Sequence, residues 1–153
     1  VFAALKETGC DDRTLVVFTS DNGPWLSFKL NGGSAGLLRA GKGTTFEGGM
    51  RVPTIFRWPS RIPSGTTVTD MGSTLDLMAT CAALMNAELP TDRTLDSLDL
   101  SPALFGEGPS PRQEMFFYTR GVLYAIRSGP FKMHLLSRQP VAYGLSRLNI
   151  FFK

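Results

Sequence analysis

The alternation of apolar and polar positions predicts a chain of short elements separated by unusually rich turn chemistry. Val1 to Lys6 reads as a short stretch of helix, punctuated by Cys10-Asp11-Asp12. Thr14 to Thr19 is a continuous β-rich apolar run, the pattern of a strand buried on both faces of an α/β sheet. Ser20-Asp21-Asn22-Gly23-Pro24 stops that strand abruptly. Residues 31–53 hold seven Gly and no periodic pattern, which predicts a long irregular loop, and such loops inside compact domains tend to carry function. Val52 to Trp58 returns as a strand, followed by loop to Gly65. The clearest helix spans residues 73–87. Ser73 and Asp76 form a capping box, and Leu75, Met78, Ala79, Ala82 and Met85 repeat on one face as its buried side. Asn86 and Pro90 close it, and the polar, Pro- and Gly-punctuated residues 90–113 read as a linker or domain seam. Met115 to Thr119, Val122 to Arg127 and Phe131 to Leu136 then predict a three-stranded antiparallel meander.

Composition narrows the class. The chain has 153 residues, 42% apolar and 19% charged, which suits one globular domain and argues against disorder. No apolar run approaches the roughly 20 residues of a membrane span, and the first residues lack the basic start and apolar core of a secretory signal. The chain begins with Val, and the reading is that it starts inside a longer protein. Two Cys exclude a disulfide scaffold and a four-Cys zinc site, and leave open whether Cys10 and Cys81 are free. Cys81 falls beside the apolar helix face and is expected as a small core residue. Net charge is +3 but uneven. Residues 1–110 carry nine Lys/Arg against twelve Asp/Glu, and residues 111–153 carry seven Lys/Arg against one Glu. The basic residues stand singly, so the expectation is a solvated face with acidic partners elsewhere and no nucleic-acid site.

Three places offer chemistry. Asp21 and Asn22 put a carboxylate and an amide carbonyl at a strand end, where α/β sheets bind ligands. Both are hard oxygen donors suited to Ca²⁺ or Mg²⁺, although two ligands are too few for a cation and Asp-Asn-Gly is also an ordinary turn. Gly41-Lys42-Gly43-Thr44-Thr45 places an ammonium among exposed amides and hydroxyls, which suits an oxyanion. Gly36 to Lys42 also satisfies the P-loop spacing, but neither a strand before it nor a helix after it is predicted. His134 is the only histidine, so no zinc cluster and no Ser-His-Asp triad can be assembled around it, and it is expected as a satisfied structural side chain in a strand.

Together, Phe18 to Pro24, Gly41 to Arg51 and Pro53 resemble the sulfatase family, on its arylsulfatase and N-acetylgalactosamine-6-sulfatase side. Ser73 to Leu77, Leu95 to Pro102 and Ser110 to Gln113 extend the likeness in order, over roughly residues 1–136. The resemblance implies part of an alkaline-phosphatase-like α/β fold, with the catalytic α/β domain over 1–104 and a small antiparallel subdomain over 105–153. It implies Asp21 and Asn22 as ligands of an active-site Ca²⁺, with Mg²⁺ as the alternative, and Lys42 as the residue that contacts the sulfate and steadies charge on the ester oxygen. Glu47 to Arg51 would support the loop. The implied substrate is a sulfate ester: an aryl sulfate, a sulfated galactolipid or a glycosaminoglycan. A lysosomal or secreted setting follows from the family alone, since none of the four Asn stands in a glycosylation sequon, and a homo-oligomer is compatible with it.

The family's nucleophile is a formylglycine made from Cys in Cys-x-Pro-x-Arg, and neither Cys10 nor Cys81 stands in such a run. The expectation is therefore a C-terminal part of a sulfatase, inactive in isolation, with much apolar surface uncovered. Ser137 to Lys153 has no acid and departs from the family's usual continuation. Two other readings compete: a catalytically inactive module that binds sulfated glycans through the basic strands, and a phosphoryl-transfer protein using Gly36 to Lys42.

Overall fold

The computed structural model describes residues 1–136, and the atypical tail over 137–153 lies outside the described residues. The chain divides into two compact units that interleave along the sequence. The first holds Val1–Phe18 and Thr54–Gln113, and the second holds Thr19–Pro53 and the described residues from Glu114. The expected boundary between residues 104 and 105 falls inside a short helix of the first unit.

In the first unit, helix α1 (Phe2–Glu7) leads through a 3₁₀ turn at Asp11–Arg13. Strand β1 (Val16–Thr19) pairs with β2 (Thr54–Arg57) in a two-stranded sheet. Arg57 donates twice to the Asp11 carboxylate, at 2.8 and 2.9 Å, and the Trp58 indole donates to the Asp12 carbonyl, so the exit of β2 is tied to the chain start. No residue of β1 is buried, and Phe18 is 71% exposed. This corrects the expectation of a strand covered on both faces: two paired strands lack the layers that such burial requires.

Helix α3 (Asp76–Leu84) begins three residues later and ends three earlier than its pattern predicts. The capping box forms as expected in outline, because the Ser73 amide donates to the Asp76 carboxylate and the Leu75 amide donates to the Ser73 hydroxyl. The buried stripe differs from the apolar one. Asp76, Ala79, Thr80 and Ala82 are buried, whereas Leu75, Met78 and Met85 are exposed and Cys81 is an exposed free thiol. The cause is the segment that docks there. Ala79, Leu98 and Leu100 give their amides to Ser97 Oγ, Asp76 Oδ1 and Thr80 Oγ1, so a polar stripe is what the neighbouring backbone selects. Residues 90–113 are no free linker, and the first unit ends where they do, at Gln113. They pack on α3, carry helix α4 (Ser101–Phe105) and return Arg112 to Asp76.

In the second unit, the meander appears as β3 (Glu114–Thr119), β4 (Val122–Ser128) and β5 (Phe131–His134), antiparallel in that order. Arg120 and Gly121 both take positive φ, 51° and 77°, which makes a two-residue type I′ hairpin of matching twist. Gly129, at φ 52°, followed by Pro130 turns β4 into β5. The pleat puts Phe117, Ala125 and His134 in register on one face, beside Met115, Arg127 and Lys132. Phe116, Met133 and Phe131 are exposed. The loop expected over 31–53 contains one helical turn, α2 (Glu47–Met50), despite two consecutive glycines.

Candidate active site

The strand-end turn and the Lys42 loop are welded through their backbones. The Gly23 amide donates to the Gly49 carbonyl at 3.0 Å, the Lys42 amide to the Pro24 carbonyl at 2.9 Å, and the Gly48 amide to the Arg39 carbonyl at 2.8 Å. The glycines are what permit this. A Cβ on Gly23 would lie 1.8 Å from the Gly48 carbonyl oxygen, and one on Gly48 would lie 2.1 Å from that of Ala40. Any side chain there would force the backbone apart. That close approach explains a helical turn built on Glu47-Gly48-Gly49-Met50, where propensity alone predicts none.

An open cleft of roughly 420 Å³ in this unit is lined by Ser20, Asn22, Trp25, Lys42 and Arg51, among others. Asn22 and Lys42, both singled out from sequence, are therefore brought together. Asp21 stands exposed at the end of β1 and is absent from the lining. The Asn22 amide nitrogen donates to the Gly23 carbonyl at 3.0 Å, and Oδ1 is the side chain's acceptor. With the Asp21 carboxylate this gives two hard oxygens at adjacent positions, a donor set that fits Ca²⁺ or Mg²⁺ in kind but not in number. Among the described residues no group of three His, Cys, Asp or Glu could hold a metal. Lys42 is exposed, its ammonium 5.7 Å from the centre of the Trp25 ring. Gly36 to Lys42 runs between turns with no strand leading in, and the next helix begins only at Glu47, so the P-loop context is not met.

Sequence reasoning left Glu47 as general loop support, and the structure makes that support specific. Its carboxylate accepts from Arg127 at 2.6 Å and from Lys132 at 2.8 Å, joining α2 to β4 and β5. Burial works to raise the Glu47 carboxyl, but the hydrogen bonds and charges of Lys132 and Arg127 outweigh it and hold the group below its usual value. Lys132 is in turn pushed down by burial, with Glu47 opposing, and its ammonium lies 3.7 Å from the Phe117 ring centre. Arg112, Arg127 and Lys132 all pair with acids from the first 110 residues, as the uneven charge anticipates.

His134 corrects its expectation. Its ring rests on Phe46, centroids 4.6 Å apart, and its Nδ1 is buried without a hydrogen-bond partner, so it is structural but not satisfied. Burial, then the charges of Lys132 and Arg39, lower its pKa below 6.5. Sequence reasoning also missed Trp25 as a cleft residue and treated Arg51 only as support. The available signal was their place in the two halves of the signature, Trp25 directly after Pro24 and Arg51 two residues before Pro53.

Comparison with known proteins bears on this site directly. Human arylsulfatase A (Homo sapiens) is 47% identical over 144 residues, covering 90% of this chain and 28% of that protein. N-acetylgalactosamine-6-sulfatase of Canis lupus familiaris is 42% identical over 135 residues, 88% of this chain and 26% of the relative. The crystal structure of PsFucS1 sulfatase from Pseudoalteromonas sp. superposes with a TM-score of 0.80 at 36% identity, over 86% of this chain and 27% of that one. The chain thus spans little more than a quarter of the length of the curated relatives it matches. The family model for Sulfatase matches residues 1–87, which contain the strand-end turn, the Lys42 loop and the backbone bonds between them, and the chain belongs to the sulfatase family.

Proposed function

We propose that this chain carries part of the active site of a sulfuric ester hydrolase with an alkaline-phosphatase-like fold. The observation that carries the reading is that Asn22 and Lys42 line one cleft whose two walls are joined by backbone hydrogen bonds. Asp21 and Asn22 would hold a divalent cation, Ca²⁺ or Mg²⁺, their oxygens being the hard donors such ions take. A cation held there would supply positive charge toward the sulfate oxygens. Lys42 contributes a point charge that steadies the ester oxygen as the S–O bond breaks, an interaction that strengthens as charge develops. Arg51, exposed in the same cleft, adds a second cation for the anionic end of the substrate. Neither Cys10 nor Cys81 stands in the formylglycine run, so the nucleophile is assigned to sequence outside these 153 residues. The relatives' names, an arylsulfatase and an N-acetylgalactosamine-6-sulfatase, support an aryl or sugar sulfate as the substrate, and the lysosomal or secreted setting rests on the family resemblance alone.

Sulfate release from 4-nitrophenyl sulfate by the native full-length protein tests this reading. Chelation is expected to abolish release and added Ca²⁺ to restore it, and Lys42→Ala is expected to lower kcat/KM by about 100-fold. Release that survives both treatments overturns the assignment. The glycan-binding alternative loses ground because Arg127 and Lys132, two of the basic strand residues it needs, are engaged by Glu47.

A further inference from the structure

We propose that Phe46 is a positioning residue for Lys42: its ring clasps shut the loop that carries the ammonium, and it acts on the ester through Lys42 without touching substrate. The inference rests on the reading of Lys42 as the cation at the ester oxygen. It goes beyond that reading by assigning what holds the cation in place. Lys42 lines the cleft, and Phe46 is absent from that lining.

Residues 39–46 leave and return to one point. The Gly48 amide donates to the Arg39 carbonyl at 2.8 Å, which joins the two ends through the backbone. The side chains join them a second time. The Arg39 Cζ stands 3.9 Å from the centre of the Phe46 ring, well inside the range of a cation–π contact. Lys42 lies three residues after Arg39 and four before Phe46, near the middle of the closed loop. The path between them is strained, because Ala40 takes a positive φ of 62° despite its Cβ. Such a conformation persists only where the surroundings enforce it. Next to Lys42, the Thr44 hydroxyl and amide both donate to the Gly41 carbonyl, at 2.9 and 3.2 Å.

The clasp is itself anchored. His134 on β5 lays its ring on Phe46, with centroids 4.6 Å apart, so one face of a regular strand supports the closed end of the loop. Phe46 also stands immediately before α2, in extended backbone with ψ 162°. The residue that closes the Lys42 loop is thus the one that starts the helical turn bonded to Gly23. Lys42 itself is exposed, so the backbone beneath it sets where its ammonium can reach. A misplacement of about 1 Å at a reacting centre can cost about 100-fold in rate, which makes a distant brace matter to the chemistry.

The experiment is a double-variant cycle in the native full-length protein. It compares kcat and KM on 4-nitrophenyl sulfate for Phe46→Ala, Lys42→Ala and the pair, with Phe46→Tyr beside them and a melting temperature for each. Phe46→Ala is expected to lower kcat by about tenfold and to change KM by less than about threefold, because the Lys42 interaction grows as charge develops. In the Lys42→Ala background the same substitution is expected to cost less than about twofold, since the cation it places is gone. Phe46→Tyr keeps the ring and is expected to recover most of the loss. A merely structural role would cost the same factor with Lys42 present or absent. Equal factors in the two backgrounds, or no loss in Phe46→Ala, overturn the proposal and leave the sulfatase reading intact. If Phe46→Ala does not fold, Arg39→Met enters the same cycle under the same criteria, removing the cation from the ring while the His134 contact stays. A Lys42→Ala variant as active as the parent overturns both the proposal and the assignment of Lys42.

Discussion

Each compact unit is organised around one carboxylate, and the two carboxylates are built for different work. Asp76 has no exposed side-chain surface and accepts from the Ser73 and Leu98 amides and from Arg112, whose Nε lies 2.7 Å away. Glu47 keeps 24% of its side chain exposed and accepts from two cations and no backbone amide in the contacts described. Asp76 is a packing node: it ties a helix start, an extended segment and Arg112 in a place that holds none of the cleft residues. Glu47 begins the helical turn whose glycines carry the Asp21-Asn22 turn and the Lys42 loop, so its consequences are expected at the cleft. The contrast separates stability from function, and each of the following substitutions probes one side of it.

The largest effect is expected at Arg112. Arg112→Leu leaves Asp76 buried with its charge uncompensated, which costs about 3–5 kcal/mol, whereas removing both charges is far gentler. Denaturant unfolding of Arg112→Leu beside an Asp76→Asn/Arg112→Leu double variant checks this. A double variant as unstable as the single one would mean that the pair itself, and not the orphaned charge, is what matters. The Arg112 guanidinium, raised above its usual value chiefly by the Asp76 hydrogen bond, stays charged throughout.

Gly48→Ala comes next. The added methyl would lie 2.1 Å from the Ala40 carbonyl oxygen, and backbone cannot yield as a flexible side chain can. A cost of about 1–3 kcal/mol is expected, with sulfate release falling more than stability does, because the displaced backbone carries Lys42. Gly65→Ala is the control, since nothing lies within 4 Å of its Cβ and any cost there comes from its φ of +78°. A Gly48→Ala variant of full stability and activity would show that the two halves of the signature need no close weld.

How much of this could be read beforehand depended on whether the cause was local. The Ser20 to Pro24 turn and the β3–β4 hairpin at Arg120-Gly121 are encoded by turn chemistry within a few residues, and both appear where expected. The α3 face was misread because periodicity counts apolar residues, while burial follows the docking partner, here a backbone segment seeking Asp76 and Thr80. Cys81 went wrong for the same reason. Asn22 and Lys42 were legible as an oxygen donor and an oxyanion-binding cation, but their shared cleft required the glycine weld. Glu47 pairs with residues 80 and 85 positions away, a separation no local pattern reports.

Glu47→Gln tests the functional side of the contrast with a smaller change in stability. The amide preserves shape but gives up the charge that Arg127 and Lys132 address, for an expected cost of about 1–2 kcal/mol. Because the folded-state carboxyl is held below its usual value, its contribution is complete above 4.5 and is lost as pH falls through the lower folded value. The variant should therefore lose stability near neutrality and converge with the parent in acid. Parallel curves at every pH would place the effect elsewhere.

The smallest effect belongs to His134, and it separates from that of Glu47 by its pH window. Burial comes first, then Lys132 and Arg39, in pushing the imidazole below 6.5, and Glu47 only partly opposes them. The folded protein therefore takes up this proton at lower pH than the unfolded chain does. Between 6.5 and the lower folded value the unfolded state binds more protons, so stability drains as pH falls through that window and is whole above it. His134→Phe keeps a ring against Phe46 and removes both the titration and the unpaired Nδ1. Its melting temperature is expected to match or exceed the parent's at neutral pH and to fall less between about pH 6.5 and 5. The Glu47→Gln difference, by contrast, should persist across that window and close only below 4.5. If His134→Phe follows the parent's acid slope, the proton that matters there sits on another group, and the unpaired nitrogen has no measurable cost to folding.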